Sequence, residues 1–254
     1  MILAGLAVLG AGLWFARAAR AQSAPSRDAQ EQAFAERYPG LPADSLARRA
    51  RSNRVMQAEH VQINEWLPVI ASAAQVSPPS TEEVTMRAVA TMAVAMKGEG
   101  LDQSEVDAVV RDYGLAPWLT PEERAFLADP ATTAEDRGVH SWRYEAANIL
   151  FWAIGFVDRL DGPRVQCDPA MLAGLLRSNS RTTLLAKARL RPMAEILDQA
   201  DLIYRYRWAL TEARVRGRPP PAGLSDDIAM ERHHAFNWLV RHADEAWDDI
   251  TLDT

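Results

Sequence analysis

Residues 195–210 read EILDQADLIYRYRWAL, and the arrangement of charge in this run decides what kind of molecule the chain forms. At 100° per residue, Ile196, Leu197, Ala200, Ile203, Tyr204 and Leu210 fill one broad arc of a helix. Asp198, Asp201, Arg205 and Glu212 share the opposite side. Asp201 precedes Arg205 by four positions, the favourable order for a helical ion pair. Pairing along the helix accounts for most of these charges. It does not account for Arg207, which falls in the middle of the apolar arc.

The same irregularity recurs twice. In the last helix, Ile228, Ala229, Phe236, Leu239 and Val240 form an apolar arc with Arg232 inside it and Glu231 at its flank. Ser141–Val157, SWRYEAANILFWAIGFV, is apolar nearly all round after Glu145, the pattern of a buried central helix. Arg143 shares a face there with Leu150 and Ile154, and Glu145 with Ile149, Trp152 and Phe156. Unpaired charge in such places costs several kcal/mol, so pairing is the economical answer. Arg143, Glu145, Arg207, Glu231 and Arg232 are therefore expected to meet in a partly buried ionic cluster, with Asp198 or Asp201 as further members and Glu195 one turn away.

The rest of the chain reads as helices and their punctuation. Asp44 or Ser45 opens a helix to about Glu59, with Arg48, Arg49, Arg51 and Arg54 as a basic stripe. A solvated face is the expected meaning; contact with anionic lipid is the alternative. Val61–Ser80 lacks helical period and is bounded by prolines, so an extended or irregular segment is expected near 61–79. Ser80 with Glu83 makes a capping box for a helix to Lys97, stopped by Gly98 and Gly100. Asp102 or Ser104 opens the next. Thr120-Pro121-Glu122-Glu123 and Asp168-Pro169 are helix starts of one kind: a cap, then proline in the first turn. Pro192 begins the opening stretch's helix and Gly217 ends it; Ser225 caps a last helix to about Asp244. No run alternates as a strand does. The predicted fold is mainly α: a single multi-helix domain over residues 43–254, a polar tether with a short helix over 21–42, and an N-terminal hydrophobic helix.

That first segment is uncharged from Met1 to Ala16, and Arg17 and Arg20 follow it. A secretory signal wants positive charge before the apolar run, which is missing, and a small-x-small cleavage site, which Ala19-Arg20-Ala21 would supply among crowding arginines. The other reading is an uncleaved anchor over residues 1–20, close to the ~20 residues that span a bilayer. Arg17, Arg20, Arg27 and Arg37 then all flank its C-terminal side, and positive flanks stay in the cytoplasm. A membrane anchor with a cytoplasmic body is expected; the alternative is a secreted or periplasmic body after cleavage. Net charge of −6 gives no global sign of nucleic-acid binding. The single cysteine, Cys167, excludes an intramolecular disulfide and a cysteine-based zinc site.

Few motifs carry chemistry. Glu231-x-x-His234 is half of the carboxylate–histidine pattern of di-iron bundles, and no second copy exists, so neither a metal nor a cofactor is expected. His233, His234 and His242 read as surface or cap residues. Glu195, Asp198 and Asp201 at three-residue spacing bring carboxylates together, which suits acid catalysis as well as ion pairing; pairing is the expected use. No nucleophile elbow, cysteine–histidine pair or phosphate-binding glycine loop is present. The tail WDDITLDT (Trp247–Thr254) reads as a solvated acidic end, with cation binding or docking on the body as alternatives.

Several blocks in order resemble one family: HSWRYEAANILFWAIGF (140–156), LRPMAEILDQADLIYRYRWAL (190–210), ERHHAFNWLVRH (231–242) and the terminal WDDITLDT, preceded by RARSNRVMQAEHVQINEWLPVI (49–70) and RAVATMAVAMKGEG (87–100). Together they are similar to the bacterial domain-of-unknown-function family 4272 over about Ala47–Thr254. The resemblance implies one domain and brings no catalytic residues with it; the N-terminal anchor lies outside the family pattern. The leading expectation is a non-catalytic binding or interaction module for a small polar or anionic ligand. The runner-up is a hydrolase-like enzyme using Glu195, Asp198, Asp201 or Glu231. An open cleft with two of these acids and an arginine favours the enzyme, and a closed, paired cluster favours the module.

Overall fold

The fold is given by a computed structural model that describes residues 25–254. Among them are eleven α-helices: α1 (Arg27–Arg37), α2 (Ala43–Ala58), α3 (Thr81–Glu99), α4 (Gln103–Asp112), α5 (Pro121–Ala128), α6 (Ala134–Ser141), α7 (Arg143–Ala153), α8 (Pro169–Ser178), α9 (Arg181–Lys187), α10 (Met193–Val215) and α11 (Asp226–Leu239). No strand occurs among the described residues, and 59–80 form only turns and irregular chain, so the mainly α reading holds. The hydrophobic helix expected over residues 1–20 lies outside the described residues.

Local hydrogen-bond chemistry sets the helix starts. The first N–H groups of a helix lack intrahelical partners, and short polar side chains supply them. Ser80 and Glu83 form a reciprocal capping box on α3, and Thr120 with Glu123 does the same on α5. Asp168 accepts from the N–H groups of Ala170 and Met171, with Pro169 in the first turn of α8. Ser225 accepts from Ile228 at the start of α11. A further box, Thr133 with Asp136, starts α6 and has no counterpart in the sequence reading.

The core is built around α3, whose residues from Val84 to Ala95 are buried on every side. Its alanines and threonines keep it slim enough for α7 and α6 to lie against it, with α4, α5, α8 and α9 around. The second half pairs α10 with α11 and α2, and α11 bridges back to α7. One apolar cluster runs through both halves, from Val84 and Leu150 to Ile196 and Phe236. α1 adds to this body by packing on α2: Phe34 is buried, with the Arg49 guanidinium 3.7 Å from its ring centre, and Arg27 pairs with Glu65 at 2.8 Å.

Several boundaries differ from the spacing. The helix expected over 141–157 is broken at Trp142 and ends at Ala153, with Gly155 taking a left-handed turn (φ +84°). α11 ends at Leu239 rather than Asp244, because Arg241, Ala243 and Asp244 all have positive φ, a conformation that cannot continue a right-handed helix. Gly98 does not stop α3. It lies inside the helix where the backbone of α6 crosses it, and a Cβ there would sit 2.4 Å from the Ser141 nitrogen and 2.9 Å from the Arg137 carbonyl oxygen. Backbone cannot swing aside as a side-chain tip can. Gly98→Ala is expected to lower stability by about 2–3 kcal/mol, measured by urea denaturation, although alanine is the better helix former by nearly 1 kcal/mol.

The tail does not stay in solvent. Trp247 is buried, its ring 4.5 Å from His234 and 5.6 Å from Trp238, centre to centre, and Arg87 lies over it at 4.8 Å. The Asn237 side-chain amide donates to the Thr251 carbonyl at 2.9 Å. The docked tail explains a second correction: His233 and His234, read as surface residues, are buried.

Candidate functional site

α7 and α11 carry four of the eight candidate residues and bring them together in two pairs. Arg143 donates to both oxygens of Glu231, at 3.3 and 3.1 Å. Burial pushes the Glu231 carboxyl above its ordinary range, and the Arg143 guanidinium pulls against that. The second pair is deeper: Arg232 Nε donates to Glu145 Oε2 at 2.9 Å, with side chains 4% and 2% exposed. Glu145 Oε1 accepts the backbone N–H of Cys167 at 2.6 Å, and the Arg232 guanidinium also donates to the carbonyls of Asp161 and Val165. Both ends of this pair are thus spent holding the loop over residues 158–168 against the two helices.

The other four candidates go elsewhere, so the single cluster expected from the sequence is dispersed. Arg207 does turn inward, but its partner is Asp226 in the first turn of α11, which Arg214 also approaches at 3.4 Å. Asp201 pairs with Arg205 at 2.8 Å as the spacing predicts, yet both side chains are only 1% exposed. That side of α10 is covered there, and Arg205 donates to the Pro68 carbonyl at 3.4 Å. Asp198 takes Arg51 at 2.5 Å and lies 3.6 Å from Arg48. Glu195 pairs with Arg191 at 3.3 Å on the exposed start of α10.

The stripe on α2 needs the same correction. Arg48 and Arg49 are buried rather than solvated. Arg48 donates to the Ala71 carbonyl at 2.9 Å and to Asp44 at 3.0 Å; Arg49 donates to the Glu65 carbonyl at 2.6 Å and pairs with Glu31. Arg87, unremarked in the sequence, is also buried and pairs with Glu123. The signal that would have found it is a lone arginine on a helix otherwise rich in alanine and valine.

Besides a small hollow of about 160 Å³ beside Glu145 and Cys167, two others border these residues. One, of about 210 Å³, has Arg232, Tyr206, Glu59 and Ile149 among its walls. Burial works to raise the Glu59 carboxyl, but hydrogen bonds from Arg164 and Tyr206 outweigh it and hold the group below its ordinary value. The other, about 320 Å³, is a shallow surface depression with Glu195, Asp198, Arg191 and Trp152 along it. Both its acids are substantially exposed, at 52% and 39%. Among the described residues no group of three or more His, Cys, Asp or Glu is placed to hold a metal ion, and no helix is long and apolar enough to cross a membrane.

An all-helical body whose helices are knit by carboxylate–guanidinium pairs, several of them buried, is the class of protein these features define. The chain belongs to the family described as Domain of unknown function (DUF4272), whose model matches residues 48–250. No curated protein and no solved structure matches it.

Proposed function

We propose that the chain is a non-catalytic binding module, tethered to a membrane by residues 1–20 with its body in the cytoplasm, and that the ion pairs between its late helices are scaffold. One observation carries this reading: each of the five candidate carboxylates, Glu145, Glu195, Asp198, Asp201 and Glu231, already has a guanidinium partner. A general acid or nucleophilic carboxylate needs a free oxygen facing substrate in a site that excludes water. The two most deeply buried acids, Glu145 and Asp201, have both oxygens engaged within the protein. The orientation rests on the arginines that follow the apolar run.

A hydrolase-like alternative has one observation in its favour, the depression that places Glu195 and Asp198 beside Arg191. The two readings separate in one experiment. Full-length protein is purified from native membranes in lipid nanodiscs, small molecules that come with it are identified by mass spectrometry, and the bound fraction is followed over time. The module returns its ligand chemically unchanged. Turnover abolished by Glu195→Gln or Asp198→Asn would establish the enzyme instead. Protease is expected to cut the body only once the membrane that carries it is permeabilised; digestion from outside while that membrane is intact would reverse the orientation and support the periplasmic alternative.

A further inference from the structure

A cavity of about 470 Å³, larger than any hollow described above and touching none of the eight charged candidates, opens where α10, α11, the irregular segment 68–76 and the docked tail meet. That volume is within the range of small-molecule sites. Its walls are Ile70 and Val76 from the segment, Tyr204 from α10, and His233, Asn237 and Val240 from α11 and its end.

His233 is the unusual member. It is 2% exposed; its Nδ1 is enclosed with no hydrogen-bond partner among the described residues, so a molecule in the cavity meets the ring at Nε2. Buried polar groups are almost always satisfied, and each exception asks for an explanation. Packing does not require an imidazole here; a phenyl ring would fill the same wall without leaving a nitrogen unsatisfied. Burial, with Arg207 and His242 adding to it, holds the ring neutral, so it presents one N–H and one lone pair, the tautomer following whatever partner it meets. The Tyr204 ring stands beside it, centres 6.0 Å apart and tilted by 38°, which makes this part of the wall aromatic.

The cavity carries charge of both signs: Arg241 brings a positive group at the end of α11 and Asp253 a negative one from the tail. Arg241 is itself directed to Glu83 at 3.4 Å. The apolar part of the wall is Ile70, Val76, Ala200 and Val240 beside the Tyr204 ring, with Gln75, His233 and Asn237 as uncharged polar members, and the Asn237 amide nitrogen is already committed to Thr251.

We propose that this cavity binds a small uncharged aromatic or heteroaromatic compound bearing an N–H or O–H group, with the His233 imidazole taking the hydrogen bond and the Tyr204 ring packing against the ligand's face. The proposal rests on reading the chain as a binding module and names the ligand class for it.

The test uses the full chain in lipid nanodiscs with isotope-labelled histidine, read by NMR, and three probes: indole, its isostere benzofuran, which lacks the N–H, and benzoate as an anion of similar size. Empty nanodiscs correct for partitioning. Indole is expected to shift the His233 ring resonances saturably. Benzofuran should bind about tenfold more weakly, the consequence of leaving a buried nitrogen unpaired, and benzoate more weakly still. His233→Phe should weaken indole binding by about tenfold with the melting temperature kept or raised, and Tyr204→Leu should weaken all the neutral probes together. The labelled wild-type protein answers the question even if a variant does not fold. Equal affinity for indole and benzofuran, tighter binding of benzoate, or no saturable shift at His233 would each overturn the proposal. Those outcomes leave the module reading standing. Turnover lost in Glu195→Gln or Asp198→Asn ends that reading whatever indole does.

Discussion

Arg232→Met is expected to cost the fold about 3–5 kcal/mol, the usual penalty for stranding one member of a buried ion pair. Methionine replaces the stem but not the guanidinium. Glu145 would keep the Cys167 N–H on one oxygen and lose its partner on the other, with its side chain only 2% exposed. The carbonyls of Asp161 and Val165 lose their donor at the same time. Glu145→Met on top of Arg232→Met removes the orphaned charge and should restore part of the loss; what remains is the hydrogen bond to Cys167 and the donor lost by the Asp161 and Val165 carbonyls, about 1 kcal/mol each. The double-mutant cycle isolates this coupling from the loss of packing. Glu195→Ala is the internal contrast: it breaks an i,i+4 pair with a half-exposed acid and should change stability by about 0.5 kcal/mol or less. Urea midpoints measure all five proteins (wild type, Arg232→Met, Glu145→Met, the double variant and Glu195→Ala), and hydrogen exchange in residues 158–168 should accelerate in Arg232→Met. Arg232→Met within about 1 kcal/mol of wild type would show that the pair is not what holds α7, α11 and the loop together.

The division between what sequence reveals here and what it conceals follows the range of the interactions. Capping boxes at Ser80 and Thr120 and the proline start at Pro169 are legible because donor and acceptor lie within three residues. Arg207 and Arg232 are legible as inward-turning because an arc of apolar neighbours surrounds each on its own helix. Their partners are not. Arg207 finds Asp226 across a nineteen-residue separation and Arg232 finds Glu145 across eighty-seven, distances at which periodicity carries no information. Asp201 and Arg205 show the reverse failure. A polar helix face looks the same whether water or polar chain covers it, and here the segment near Pro68 does the covering. Arg48 and Arg49 were hidden for a related reason. Guanidinium groups donate readily to backbone carbonyls, and the carbonyls of Ala71 and Glu65 have no signature in a sequence. The depth of His233 and His234 depends on a tail whose apolar anchors, Trp247 and Ile250, sit between aspartates that suggest solvent. The cavity near Tyr204 was equally invisible, since it needs that tail, the 68–76 segment and two helices in place at once.

Those two histidines also set the acid stability of the fold. Burial is the main cause for both: each imidazole is pushed down to about 3 from an ordinary 6.5, with Arg207 adding to the effect at His233 and Arg143 at His234. The folded state therefore refuses a proton that the unfolded chain accepts once pH falls below 6.5. Their contribution to stability is fully present above that value and is lost as pH drops toward 3. Between pH 7 and pH 5 each imidazole is expected to remove about 2 kcal/mol. The window is chosen so that other groups interfere little. The carboxyls of Asp44, Glu59 and Glu83 are held below their ordinary 3.8 to 4.5, so what they contribute is lost only at lower pH. Glu231 acts with the opposite sign. Its raised carboxyl gains a proton in the folded state before the unfolded one does, so acidification relieves rather than deepens its cost. Glu231→Gln removes that offset, and the fall in stability from pH 7 to 5 should be at least as steep as in wild type. His233→Phe should flatten the profile by about half and His233→Phe with His234→Phe should nearly abolish it, read as urea midpoints at each pH. A pH slope unchanged in the double variant would place the acid sensitivity elsewhere and mean that these rings take up protons without the fold opposing it.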